Sequence, residues 1–159
     1  MTGLPPLHST VRPEWVDYNG HMSEAFYVLV FGHATDALMT ETGLDPGYRE
    51  STGCSLYTVE SHVRYLREVA EAARLAVRTR VVGVAARKAR FTHEMYVVSE
   101  PGSDPGPDAA PVATTELLAV HVDRRTGRAA EFPEPVRHRF AELTEPVPDW
   151  AGRAIPAVP

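Results

Sequence analysis

The sequence has little cysteine: Cys54 stands alone among 159 residues. That excludes an intrachain disulfide and any cysteine-built metal site. Cys54 itself reads as a small buried apolar residue. No apolar run approaches the ~18 residues of a membrane span. Met1 to Thr10 lacks a basic stretch followed by an apolar one, so no secretory leader is expected and the expected location is the cytoplasm. Positive charge is not in excess. The net formal charge of −5 argues against a nucleic-acid or anionic-membrane surface, while leaving room for a local basic patch. Seven histidines are scattered without metal-ligand spacing, so no metal is expected. There is no internal repeat.

What is present is globular. A 43% hydrophobic and 23% charged composition supports one core, and residues 1–159 read as a single domain. Its core spans about 7–142, followed by a Pro-rich tail at 144–159 that reads as irregular. Leu7 to Val16 has extended character. Asp17 to Gly20 is turn chemistry, with Asp and Asn bonding locally and Gly permitting positive φ. The period then becomes helical, with Met22, Ala25, Phe26, Leu29, Val30, His33, Ala37 and Leu38 on one apolar stripe as far as Thr42. Ser23 reads as N-cap. Gly43, with Leu44 packing back on Met39, reads as a Schellman stop before Pro46.

Four strands follow, at Ser55–Leu66, Arg74–Val84, Ala89–Ser99 and Val112–Asp123. In the first, Tyr57, Val59, Ser61, Val63 and Tyr65 share one face, with Thr58, Glu60, His62, Arg64 and Leu66 on the other. A short helix is expected at Glu134–Leu143. One long helix on an antiparallel sheet is an α+β layer. Such a sheet leaves edges to be covered, and pairing through a two-fold axis is a simple remedy.

Asp17-Tyr18-Asn19-Gly20-His21-Met22-Ser23, opening a long helix, resembles the motif of hot-dog fold acyl thioesterases of the 4-hydroxybenzoyl-CoA thioesterase-like kind. Tyr57 to Leu66 resembles their second strand. His93-Glu94-Met95-Tyr96 and Leu118 to Asp123 are similar to the betainyl-CoA thioesterase subgroup of carnitine breakdown, whose members are sometimes fused to carnitine dehydrogenase. The resemblance covers about residues 7–142.

It implies a long helix wrapped by a curved antiparallel sheet of about five strands, a homodimer or homotetramer with sites between subunits, an acyl-CoA substrate and no cofactor beyond the CoA of that substrate. It also assigns roles. Asp17 carries over as nucleophile or general base, and His21 as acid/base or positioning residue. Asn19 would orient water or bond the carbonyl. Backbone amides near Gly20, His21 and Met22 would face the thioester oxygen, where the helix dipole favours negative charge. Glu60 is the second carboxylate, as some thioesterases of this fold use a strand Glu. The bland alternatives are that Asp17 and Asn19 only turn the chain, that His21 secures the helix start, and that Glu60 sits on a solvated face. His33 and His62 read as packing or pairing residues.

CoA phosphates call for a basic rim. Arg87, Lys88 and Arg90 form one cluster; Arg124, Arg125 and Arg128 form another, and each also reads as a solvated turn. A trimethylammonium acyl group would sit on aromatic faces, with Trp15, Tyr18, Tyr57 and Tyr65 as candidates. Two other functions fit the same motif: an enoyl-CoA hydratase of the same fold and a non-catalytic acyl-CoA binding module.

Overall fold

A computed structural model describes residues 3–159. The sheet runs in the order β1 (Leu7–Thr10), β3 (Arg74–Val84), β4 (Lys88–Val98), β5 (Ala113–Asp123), β2 (Cys54–Tyr65), with every neighbour antiparallel. A two-residue β6 (Arg128–Ala129) pairs with the end of β5. The long helix α1 (Glu24–Glu41) lies in the sheet's concave face. Its near half packs on Leu75 and Val77 of β3, Met95 of β4 and Ala113 of β5. Its far half joins a second cluster with Val81, Phe91, Leu117 and Phe140.

The apolar side of α1 differs from the stripe expected. Tyr27, Val30, Phe31, Ala34, Leu38 and Met39 are buried, whereas Val28 and Leu29 stay exposed. The helix therefore has two apolar sides, and the sequence pattern averaged them into one. Its start also differs, since Ser23 occupies the N-cap without a side-chain cap bond. Its end is as expected: Gly43 takes φ 90° and the Leu44 amide donates to the Met39 carbonyl at 2.8 Å.

Three local departures have physical reasons. The first strand stops at Thr10, and Pro13 opens a short 3-10 turn through Trp15. Pro46 starts a new helix, α2 (Pro46–Thr52), because Asp45 caps it by accepting from the Tyr48 amide at 2.8 Å and Pro suits the first helical position. The third lies in β2, whose register slips between Thr58 and Glu60. This bulge changes which face alternate residues use. Leu56 and Thr58 face the helix before it, and Ser61 and Val63 after it.

Beyond α3 (Glu134–Glu142), the Pro-rich tail is irregular but tied down. It crosses the convex face as a strap. The Glu145 amide donates to Val81, Arg78 pairs with Glu145, the Trp150 indole donates to Glu94, and the Gly152 amide donates to Glu116. Glu94 and Glu116 also hold Arg80 and Arg90. No described helix is long and apolar enough to cross a membrane.

Candidate active site

The turn before α1 is pinned by its own backbone. Val16 and Met22 form an antiparallel bridge, so the Asp17 amide donates to His21 at 3.1 Å and the Ser23 amide to Trp15 at 2.9 Å. Gly20, at φ 80°, donates back to the Asp17 carbonyl. The Asn19 amide donates to Asp17 Oδ1 at 2.8 Å, an Asx turn that fixes the carboxylate and leaves Oδ2 available. This network corrects the expected set of amide donors. The Gly20 amide is engaged, and the Met22 amide donates to the Val69 carbonyl at 2.8 Å. Of the three, only the His21 amide has no acceptor among the described residues.

A cavity of about 580 Å³ opens at this point. Asp17, Asn19 and His21 line it from the turn, and Glu24 and Tyr27 from the start of α1. Tyr65, Arg67 and Glu68 close it from the end of β2 and the loop beyond. Glu68 Oε2 lies 3.0 Å from His21 Nδ1. In the neutral imidazole this contact places the proton on Nδ1 and leaves Nε2 as a bare acceptor. The two tyrosines meet edge to face at 5.1 Å. Tyr27 donates its hydroxyl to the Arg67 carbonyl at 3.2 Å, and Tyr65 donates to the Glu24 carbonyl at 3.3 Å. Burial, then Tyr65 and Glu68, push the Tyr27 phenol up; burial, then Glu24, push Tyr65 up.

The other expected residues lie elsewhere. Glu60 is exposed beside the bulge of β2 and does not line this cavity. Trp15 is buried, stacked on Phe26 at 5.5 Å, with the Arg12 guanidinium 5.5 Å from its ring centre. Neither ring face is open to a ligand. Tyr18 is 96% exposed on the turn and outside the cavity. Tyr57 sits in the first half of β2, far from Tyr65. Arg87 pairs with Glu131, Lys88 is exposed, and Arg90 is held by Glu116 on the convex face. Arg124 donates to the carbonyls of Arg49 and Gly53, closing α2, and Arg125 pairs with Asp123. Arg128 is exposed. Within one chain, Arg87, Lys88, Arg124 and Arg128 lie at the end of the sheet opposite Asp17, separated by the length of α1, about 27 Å.

A second cavity, about 780 Å³ and mainly apolar, runs along the exposed side of α1, past Val28, Leu29 and Gly32 to Leu56 and Val63 of β2. Beneath it lies His93, wholly buried. Thr35 spends its hydroxyl proton on the Phe31 carbonyl at 3.2 Å, so it accepts from His93 Nε2 at 3.0 Å, and Thr79 donates to Nδ1 at 2.9 Å. Burial pushes this imidazole down to about 3, so it is neutral. No group of three or more His, Cys, Asp or Glu among the described residues is placed to hold a metal ion.

Residues 11–140 match the thioesterase-like superfamily. The chain belongs to that superfamily. Among its relatives is a betainyl-CoA thioesterase of Pseudomonas aeruginosa, 41% identical over 96% of this chain and 94% of the relative. An L-carnitine dehydrogenase/betainyl-CoA thioesterase of Agrobacterium fabrum is 43% identical over 96% of this chain, which spans only 30% of that longer protein. A putative thioesterase from Pseudomonas putida superposes with a TM-score of 0.79 at 30% identity, covering 100% of this chain and 99% of the other. A Staphylococcus aureus protein solved in complex with CoA shares the fold, with a TM-score of 0.85 at 22% identity over 100% of this chain and 98% of that one. The helix cupped by an antiparallel sheet is the hot-dog fold of the superfamily.

Sequence reasoning missed Glu68, Glu24 and Tyr27. Glu68 lies in a polar loop with no spacing that ties it to His21. The one signal was Val69, an apolar residue in that loop, which is buried and whose carbonyl takes the Met22 amide.

Proposed function

We propose that this acyl-CoA thioesterase hydrolyses betainyl-CoA to betaine and free CoA. The observation that carries the reading is that the Asp17 carboxylate and the Glu68-bound imidazole of His21 line one open cavity at a helix start. Asp17 acts through Oδ2 as nucleophile or general base. As nucleophile it forms a mixed anhydride while the C–S bond breaks, and water then cleaves the anhydride. As base it takes a proton from the attacking water. In the base route the proton taken up by Asp17 passes to the leaving CoA thiolate. In the nucleophile route the thiolate takes its proton from water, and the bare Nε2 of His21 is placed to accept the proton of the water that opens the anhydride. The His21 amide, the Asn19 side chain and the α1 dipole face the developing oxyanion. Identity to a betainyl-CoA thioesterase over nearly the whole chain supports the acyl group.

The working unit in this reading is a homodimer. β2 presents a twelve-residue unpaired edge, flanked by exposed Tyr57, Val59 and Leu66 and by Val28 and Leu29 of α1. The second apolar side of α1 has no cover among the described residues, and Gly32 on it leaves room for a close approach. Antiparallel pairing of two β2 strands about a two-fold axis brings the Cys54 end of one beside the Tyr65 end of the other. Arg124 and Arg128 of the partner subunit then reach the Asp17 cavity to hold the CoA phosphates. The same reading keeps the enzyme in the cytoplasm, in line with a lone cysteine.

A thiol-release assay tests the reading. Betainyl-CoA should release free thiol, and Asp17→Asn should lower kcat/KM by about 10²–10⁴-fold. Turnover unchanged in Asp17→Asn, or loss of the crotonyl-CoA double bond without thiol release, would overturn it.

A further inference from the structure

The acyl group of betainyl-CoA carries its charge one methylene from the carbonyl that is attacked. Whatever recognises that charge must line the cavity that holds Asp17. Of the aromatic residues singled out in the sequence, Tyr65 alone does so. We propose that the exposed ring of Tyr65, braced by Tyr27 and flanked by the carboxylates of Glu24 and Glu68, is the subsite for the quaternary ammonium. This rests on the thioesterase reading of the same cavity and names the residues that select its acyl group.

The chemistry of the wall fits such a ligand. A quaternary ammonium has no N–H to donate, so it is held by aromatic faces and by nearby negative charge. Both phenols are spent on backbone carbonyls, which fixes the rings and leaves their carbon surface to the cavity. Tyr27 is buried and meets Tyr65 edge to face, while Tyr65 remains 45% exposed. The charges agree. Asp17, Glu24 and Glu68 face the cavity against the single guanidinium of Arg67. That wall repels an acyl carboxylate and attracts a cation. The cation also explains the thin oxyanion site. An ammonium beside the carbonyl draws electrons from it and stabilises the negative oxygen, so one free amide at His21 meets a smaller demand than a neutral acyl group would impose.

The test compares betainyl-CoA with tert-butylacetyl-CoA, its carbon isostere, in which a neutral carbon replaces the nitrogen. The readout is the ratio of the two kcat/KM values. In the wild-type enzyme the ratio should favour betainyl-CoA by about tenfold or more. Tyr65→Leu should lower it about tenfold, and Glu24→Gln by about threefold to tenfold. Tyr65→Phe keeps the ring and should hold the ratio within about twofold of wild type. Glu24 is exposed at a helix start, so its variant decides the matter even if Tyr65→Leu fails to fold. A ratio unmoved in Tyr65→Leu or Glu24→Gln, while betainyl-CoA is still hydrolysed, overturns the subsite alone. No thiol release from betainyl-CoA by the wild-type enzyme overturns the substrate reading and the subsite with it.

Discussion

The two ends of α1 are built to opposite rules. At the far end, the Leu44 amide closes on Met39, Thr42 donates its hydroxyl to the Leu38 carbonyl at 2.8 Å, and Leu38, Leu44 and Phe140 are fully buried. At the near end, the N-cap side chain makes no cap bond, carboxylates gather round an open cavity and the His21 amide has no acceptor among the described residues. A helix anchored firmly at one end tolerates an under-satisfied start. The stability invested around Phe140 lets the turn at Asp17 be shaped for chemistry.

Truncation at the far end should have the largest effect on that contrast. Phe140→Ala removes a wholly buried ring from the Phe132–Val136–Leu143 cluster and should cost about 3–5 kcal/mol in a urea titration, with kcat/KM of the remaining folded enzyme little changed. Asp17→Asn is the mirror case, losing turnover while its melting temperature holds. An activity loss in Phe140→Ala matching that of Asp17→Asn would show that the two ends are not separable.

His93 sits between them. Its imidazole goes from about 6.5 unfolded to about 3 folded, so between those values the unfolded chain binds the extra proton. Its contribution to stability is complete above pH 6.5 and shrinks as pH falls toward 3. Unfolding free energy should therefore drop from pH 7 to pH 5, and His93→Gln should flatten that slope. The smallest effect is expected at α2. Asp45→Ala removes the cap on Tyr48 and should cost about 1 kcal/mol, read as a small fall in melting temperature with normal thiol release.

The long elements were legible because their signals are local and repeated. β3 begins and ends where alternation placed it, and Gly43 stops α1 as its position dictates. Failures came where one residue changes the phase or where contacts join distant segments. The bulge near Val59 shifts β2 by one step inside a run that alternates cleanly on paper, which turned the helix-facing set from even to odd numbers. Tyr27 and Phe31 were passed over because a helix apolar on two sides has no single stripe to find. In the candidate site, Asp17, Asn19 and His21 could be read from five consecutive positions. Glu68 could not, since the chain travels through α1, α2 and β2 before returning to it.

The strap over the convex face bears on where this fold can be cut or joined. Glu94 and Glu116 are satisfied partly by Trp150 and Gly152, residues that a boundary drawn at the end of α3 would discard. Such a cut would leave two acidic side chains of a central pair of strands short of donors. A graft of this domain onto another protein should therefore carry the chain through Gly152, and a C-terminal fusion should depart from the residues that follow.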